Sequence, residues 1–195
     1  PEEQWQYTPP PAPTPPAAPE QVTPTPPTPS WMPSMSRQDA LSWSSNSVYA
    51  NDEFYHVTKG VNAERSIMDN GFDLSKKKFG RMWGDGVYVG VDSETTTMVR
   101  KWTGPGARTL TAKVNVNNPF VFSSSSGFTQ SDIVAKALDV KLSQARSMLK
   151  NKTITEILSD AGYAALRIEP SAVNEGAGGR QMIIFDPKNI TVIRP

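Results

Sequence analysis

The sequence predicts an α+β domain with mixed or antiparallel sheets. Three observations carry this. Short stretches rich in β-branched and aromatic residues alternate with helix-like segments, so strands and helices are interleaved rather than blocked. Several strands are amphipathic, as in Arg108-Thr109-Leu110-Thr111-Ala112-Lys113-Val114-Asn115-Val116, the pattern of a sheet with one face buried. No glycine-rich phosphate loop follows a strand, which argues against a doubly wound parallel fold.

Taken in order, Ser42-Trp43-Ser44-Ser45-Asn46-Ser47 reads as loop or short helix, with Trp43 the large apolar residue that pins it. Glu53 to Thr58 is the first strand. Asn62 is a suitable N-cap for a helix running to Asn70, and Gly71 a suitable stop. A Lys- and Gly-rich loop over 73–85 leads into a strand over 86–91. Asp92 or Ser93 caps a helix, Glu94 to Trp102, which Gly104-Pro105-Gly106 closes. The alternating strand at 108–116 turns at Asn117-Asn118-Pro119 into Phe120-Val121-Phe122. Helices follow at about 131–139, 142–150 and 154–160. In the last, Thr153 caps and Ile154, Ile157 and Leu158 form an i, i+3, i+4 stripe that faces the core. Strands are expected at 163–168, 181–186 and 190–194, and the loop Glu169 to Gly179 holds three glycines.

Composition divides the chain in two. Residues 1–36 carry 13 of the 18 prolines and, as charges, only Glu2, Glu3 and Glu20. Such a segment buries too little apolar surface to offset its ordering entropy, so it is expected to be a disordered, polyproline-rich linker, with Trp5, Tyr7, Trp31 and Met32 as possible anchors. Residues 37–195 form the globular domain. They hold 20 basic and 16 acidic residues, a net +4 that suits phosphate-bearing ligands without specifying nucleic acid. Cysteine is absent, which excludes disulfides, a thiol nucleophile and Cys-ligated metal. No apolar run has the length of a membrane span and no signal peptide is present, so membrane insertion by this chain is not expected. The initial proline and the Pro-rich tether lead to the expectation of a C-terminal domain cut from a longer protein.

Chemistry concentrates at three places. His56, the sole histidine, lies on the first strand between Tyr55 and Thr58; a lone strand histidine is more often structural than functional. Tyr88 follows Trp83-Gly84-Asp85-Gly86-Val87, where glycines allow close backbone approach; an aromatic there serves core packing as readily as a ligand. Gln181 opens the strand Gln181-Met182-Ile183-Ile184-Phe185-Asp186, where a polar residue needs no special explanation.

As an ordered set, Phe54-Tyr55-His56-Val57-Thr58, the run from Phe79 to Val89, and Arg180 to Ile190 resemble the ADP-ribosyltransferase superfamily. The likeness is to its His-Tyr branch, which includes diphtheria toxin and the poly-ADP-ribose polymerases, and it extends from about Phe54 to Arg194. It implies a split β-sandwich with short peripheral helices. It further implies an enzyme that takes NAD as substrate, without metal, and moves ADP-ribose to a macromolecular acceptor, protein or nucleic acid, releasing nicotinamide.

By the same resemblance, His56 bonds the nicotinamide-side ribose, and Val57, where the family often has Gly, clamps the carboxamide through its backbone, with Thr58 beside it. Gly86 allows close approach, Tyr88 stacks on the nicotinamide, and Gln181 holds a ribose hydroxyl. The family's second aromatic falls near Val99, with Trp102 one turn on as its substitute. Gln181 stands where the family has a catalytic Glu. Three explanations are open: a native Gln with single ADP-ribose transfer, an isosteric inactivation, or charge supplied by Glu175. Glu175 and Arg180 lie in the loop that recognises the target. The arginine-type branch is disfavoured, since Gly179 stands two residues before Gln181. The leading expectation is a toxin-type mono-ADP-ribosyltransferase, secreted or delivered into a target-cell cytoplasm, with a cognate immunity protein as a further partner. The alternatives are an NAD glycohydrolase and a weakened NAD-binding module.

Overall fold

The computed structural model describes residues 30–76, 82–124, 127–170 and 179–195. Among them are six α-helices and one mixed eight-stranded sheet, an α+β arrangement as the interleaved pattern predicts. In chain order the elements are β1 (Ser34–Met35), α1 (Arg37–Trp43), β2 (Phe54–Lys59), α2 (Val61–Asn70), β3 (Val87–Gly90), α3 (Ser93–Thr103), β4 (Ala107–Val114), β5 (Pro119–Ser124), α4 (Gln130–Leu138), α5 (Leu142–Met148), α6 (Ile154–Asp160), β6 (Ala165–Pro170), β7 (Gln181–Ile184) and β8 (Ile190–Ile193). The sheet order is β1-β8-β4-β2-β3-β7-β6-β5. The two outermost pairings, β1 with β8 and β5 with β6, are parallel and the rest antiparallel.

The sheet has a joint. β2 pairs with β4 over its whole length, from Phe54 opposite Ala112 to Lys59 opposite Ala107. With β3 it shares a single register pair, Tyr55 with Gly90. Side chains from both sides of the joint then meet: Phe54, Ala112, Val114 and Ile190 bury against Val87, Val89, Met182, Ile184 and Ala165. Because successive strand residues point to opposite faces, the other face of β3, β7, β6 and β5 carries a second core. There Ile183, Leu166, Ile168 and Phe122 pack beneath Ile133 and Val134 of α4, Ala145 of α5, and Ile154, Ile157 and Leu158 of α6. Thr153 caps α6 as expected, in a reciprocal pair with Glu156.

One helix start differs from expectation, and another settles a choice left open. α2 begins at Val61 behind Gly60 rather than at an Asn62 cap. Gly60 (φ 83°) donates its N–H to the Gly106 carbonyl at 3.0 Å, so a tertiary bond sets the helix entry. Asp92, not Ser93, caps α3, accepting the Thr95 N–H at 2.7 Å.

Part of the segment expected to be linker is sheet. Ser34 and Met35 pair with Val192 and Ile193 of β8. Trp31 donates its indole N–H to the Ile190 carbonyl at 2.9 Å and packs beside Met35, Ala40, Trp43 and Ile193. The domain thus includes residues that the boundary at 36 excluded; residues 1–29 lie outside the described ones. Trp43 is buried here, which is how it pins its loop.

Lys113 is a further departure. The alternating pattern places it toward water, yet it is 1% exposed. Its Nζ donates to the carbonyls of Ala50 and Asp52, both at 2.8 Å. The 47–52 segment covers this end of β4, and the buried ammonium satisfies that segment's carbonyls. Desolvation lowers the Lys113 pKa, opposed by the nearby charges of Glu53 and Asp52.

Candidate functional site

The lone histidine stands at the joint. His56 lies one residue past the only β2–β3 register pair, and its Nδ1 meets the Tyr88 backbone carbonyl at 2.9 Å. A carbonyl only accepts, so this contact fixes the tautomer: Nδ1 carries the proton and donates, and in the neutral ring Nε2 is the acceptor. The ring makes a T-shaped contact with Phe72, with centroids 4.8 Å apart and planes at 77°. Phe72 is a neighbour the sequence did not single out; its only signal was its place just after the Asn70-Gly71 helix stop.

Burial lowers the His56 pKa below its ordinary 6.5, and the Tyr88 carbonyl acts in the opposite sense. The residue as a whole is half-buried, and around the ring lost hydration dominates. The protonated form is therefore disfavoured in the folded state. Above pH 6.5 the ring is neutral in both folded and unfolded chains, and its contribution is complete. As pH falls below 6.5 the unfolded chain takes up a proton first, and stability drops by up to about 1.4 kcal/mol per pH unit until the folded pKa is reached. Urea midpoints of the wild type should fall across this window relative to His56→Asn, which lacks the titration. Parallel pH profiles for the two proteins would contradict a buried neutral His56.

Tyr88 is held by its own approach loop. Its hydroxyl donates to the Gly84 carbonyl at 2.8 Å and accepts the Trp83 N–H at 3.0 Å. Burial pushes its pKa up to about 12, the Trp83 bond opposing. The phenol therefore stays protonated and serves as a fixed ring rather than a base. Trp83 is itself locked, buried and stacked on Phe128 with centroids 4.8 Å apart and planes at 23°. Gly84 (φ 96°) lies against Ile154 and Thr155 at the start of α6.

Gln181 opens β7, where it pairs with Gly90 of β3 on one side and Ile168 of β6 on the other. One row thus crosses the joint as Tyr55, Gly90 and Gln181. The pleat puts Tyr88 and Gln181 on the same face as Gly90 and Tyr55, and His56 on the opposite face. The packing agrees: Tyr88 contacts the helix-covered core, and Phe72, against which His56 rests, contacts the core between the two half-sheets. The three candidates therefore occupy three consecutive strands, and the backbone of β3 links His56 to Tyr88.

The remaining candidates separate. Val57 pairs with Thr109 and Thr58 with Arg108, both half-buried on β2. Beyond Tyr55 β2 has no further register pair with β3, so the backbone groups that alternate residues of His56–Lys59 turn toward β3 meet no strand there among the described residues. Gly86 is buried, and the place of its absent Cβ lies 2.3 Å from Ile183 Cγ2, so the glycine serves close packing on β7. Trp102 is 64% exposed and makes no ring contact with Tyr88 among the described residues. Arg180 pairs with Glu169 at 3.3 Å, and Glu169 also binds Arg167. Glu175 lies outside the described residues.

Among the described residues, no group of three or more His, Cys, Asp or Glu side chains comes together to hold a metal, and no helix is long and apolar enough to cross a membrane. Comparison with protein-family models and with curated proteins gave no match.

Proposed function

We propose that this chain is a mono-ADP-ribosyltransferase that uses NAD as substrate on a split β-sandwich. The observation that carries the proposal is the joint itself. β2 leaves β3 after one register pair, His56 spans the gap to the Tyr88 carbonyl, and Gln181 stands one strand further in the same row as Gly90. An opened strand edge offers the paired N–H and C=O that a carboxamide needs. A ring fixed by two bonds at its hydroxyl offers a rigid face to a cationic pyridinium.

In this reading the C–N bond between ribose and nicotinamide breaks with its electron pair leaving on nicotinamide. The ribose passes through an oxocarbenium-like state, and a nucleophile of the acceptor closes the new bond. His56 and Gln181 hold ribose hydroxyls, and the backbone at Val57 and Thr58 clamps the carboxamide. Gln181 orients a hydroxyl but adds no full charge to stabilise the cationic state. That amide supports a second reading, a weakened NAD-binding module on the same fold; water as acceptor would make the chain an NAD glycohydrolase. The Pro-rich composition of residues 1–36 motivates the further proposal of a toxin-type effector delivered to a target cell, with an immunity protein as partner.

Nicotinamide release from NAD, with and without candidate acceptors, tests the reading. His56→Ala is expected to cut release by at least about tenfold, in line with loss of a positioning hydrogen bond. Release that the variant leaves unaltered, or wild-type protein showing neither NAD binding nor release, overturns it.

A further inference from the structure

The outer side of α3 carries a groove that the proposed NAD site does not use. Near the helix end a hollow of about 540 Å³ is lined by Thr97, Arg100, Lys101 and the turn Gly104–Ala107. A second hollow, of about 340 Å³, continues along the helix past Ser93, Glu94 and Met98 and shares Thr97 and Lys101 with the first. The two form one open trough.

Two cations line the larger hollow, and a third stands on β2 opposite one of its lining residues. Arg100 and Lys101 are exposed on α3, with Arg100 Nη1 donating to Thr109 Oγ1 at 3.3 Å. Lys59, also exposed, ends β2 opposite Ala107, on the face that α3 covers. The pull of a helix C-terminus on positive charge accounts for Arg100 and Lys101, but not for Lys59. Glu94, at the far end, is the single carboxylate among the residues lining the two hollows. On the same helix, Trp102 follows Met98 of the smaller hollow by one helical turn and stays 64% exposed. A large aromatic left in water beside a row of cations is the pairing that single-stranded nucleic acids engage: cations track the phosphates and the ring stacks on a base.

We propose that the α3 trough is a docking surface for a single strand of nucleic acid, with Lys59, Arg100 and Lys101 on its phosphates and Trp102 on a base. As a bound ligand the strand is independent of the NAD reading. As acceptor of ADP-ribose, which would make the chain's target a nucleic acid, it rests on that reading.

The test is fluorescence anisotropy of the full chain with a labelled twelve-nucleotide single strand across a salt series. Neutralising two or three phosphates gives an expected slope of log K against log salt of about −1.4 to −2. Arg100→Glu combined with Lys101→Glu should weaken binding at least about tenfold and flatten that slope. Trp102→Ala should weaken it by about five- to a hundredfold with the slope kept. Glu94→Lys should tighten binding. Circular dichroism of each variant confirms folding. His56→Ala should leave strand binding unchanged, and the double Glu variant should leave acceptor-free nicotinamide release unchanged, so the two proposals fail separately. Absence of binding at low salt, or binding insensitive to both the charge reversal and Trp102→Ala, overturns the assignment. So does polyglutamate competing as well as the oligonucleotide, since that would mark a surface for acidic polypeptide.

Discussion

Gln181→Glu is expected to raise nicotinamide release from NAD by about two orders of magnitude. The substitution is isosteric, and the position is fixed on both sides by backbone pairing, with Gly90 and with Ile168. The backbone pairing should therefore be unaffected, and the change is the exchange of an amide donor for a negatively charged acceptor. That charge would stand one strand from β3 and in the row that crosses the joint to Tyr55. Groups that stabilise charge developing in a transition state commonly contribute factors of 10² to 10³, and a carboxylate beside a cationic ribose is such a group. The measurement is steady-state release by wild type and variant under saturating NAD, with His56→Ala in the variant background as control. A gain abolished by His56→Ala places positions 56 and 181 in one site. No gain, with NAD binding intact, supports the binding-module reading and removes Gln181 from the chemistry.

Phe54→Ala should cost about 3–5 kcal/mol, a large part of a typical domain's total stability. Phe54 is fully buried at the start of β2 and makes a T-shaped contact with Tyr49, centroids 5.7 Å apart. It also lies in the core shared by both half-sheets, beside Val87, Val89 and Met182. Its removal leaves a cavity where the two halves touch, and the register pair Tyr55–Gly90 gives that junction little backbone support. Val121→Ala is the contrast: Val121 is 46% exposed on the outermost strand, and its loss should cost no more than about 0.5 kcal/mol. Urea unfolding should show the midpoint falling for Phe54→Ala with its denaturant slope unchanged. Equal midpoints for the two variants would mean that the halves are not joined through this core.

The sequence by itself determined most of the element order, because helix and strand periodicities and caps are local properties. Thr153 and Gly162 bracket α6 as they stand in the chain, and Gly71 ends α2 with φ 82°. The alternating run over β4 and the apolar run of β7 are strands where expected. The positions of His56, Tyr88 and Gln181 on three strands were likewise legible from their motifs.

Only the tertiary structure decided how those strands meet. β1 is two residues long and has no local signal; it exists because its backbone finds β8, about 160 residues away, through bonds such as Arg194 N–H to the Met35 carbonyl at 2.8 Å. Lys113 sits in an alternating pattern that assigns it to solvent, and a distant segment with unsatisfied carbonyls buries it instead. The same holds at the site. Periodicity tells which residues alternate along a strand, but not where two strands part. The Tyr55–Gly90 register sets His56 and Tyr88 on opposite faces, and the parting of β2 from β3 after it leaves one ring nitrogen, bonded to a backbone carbonyl, to bridge the strands.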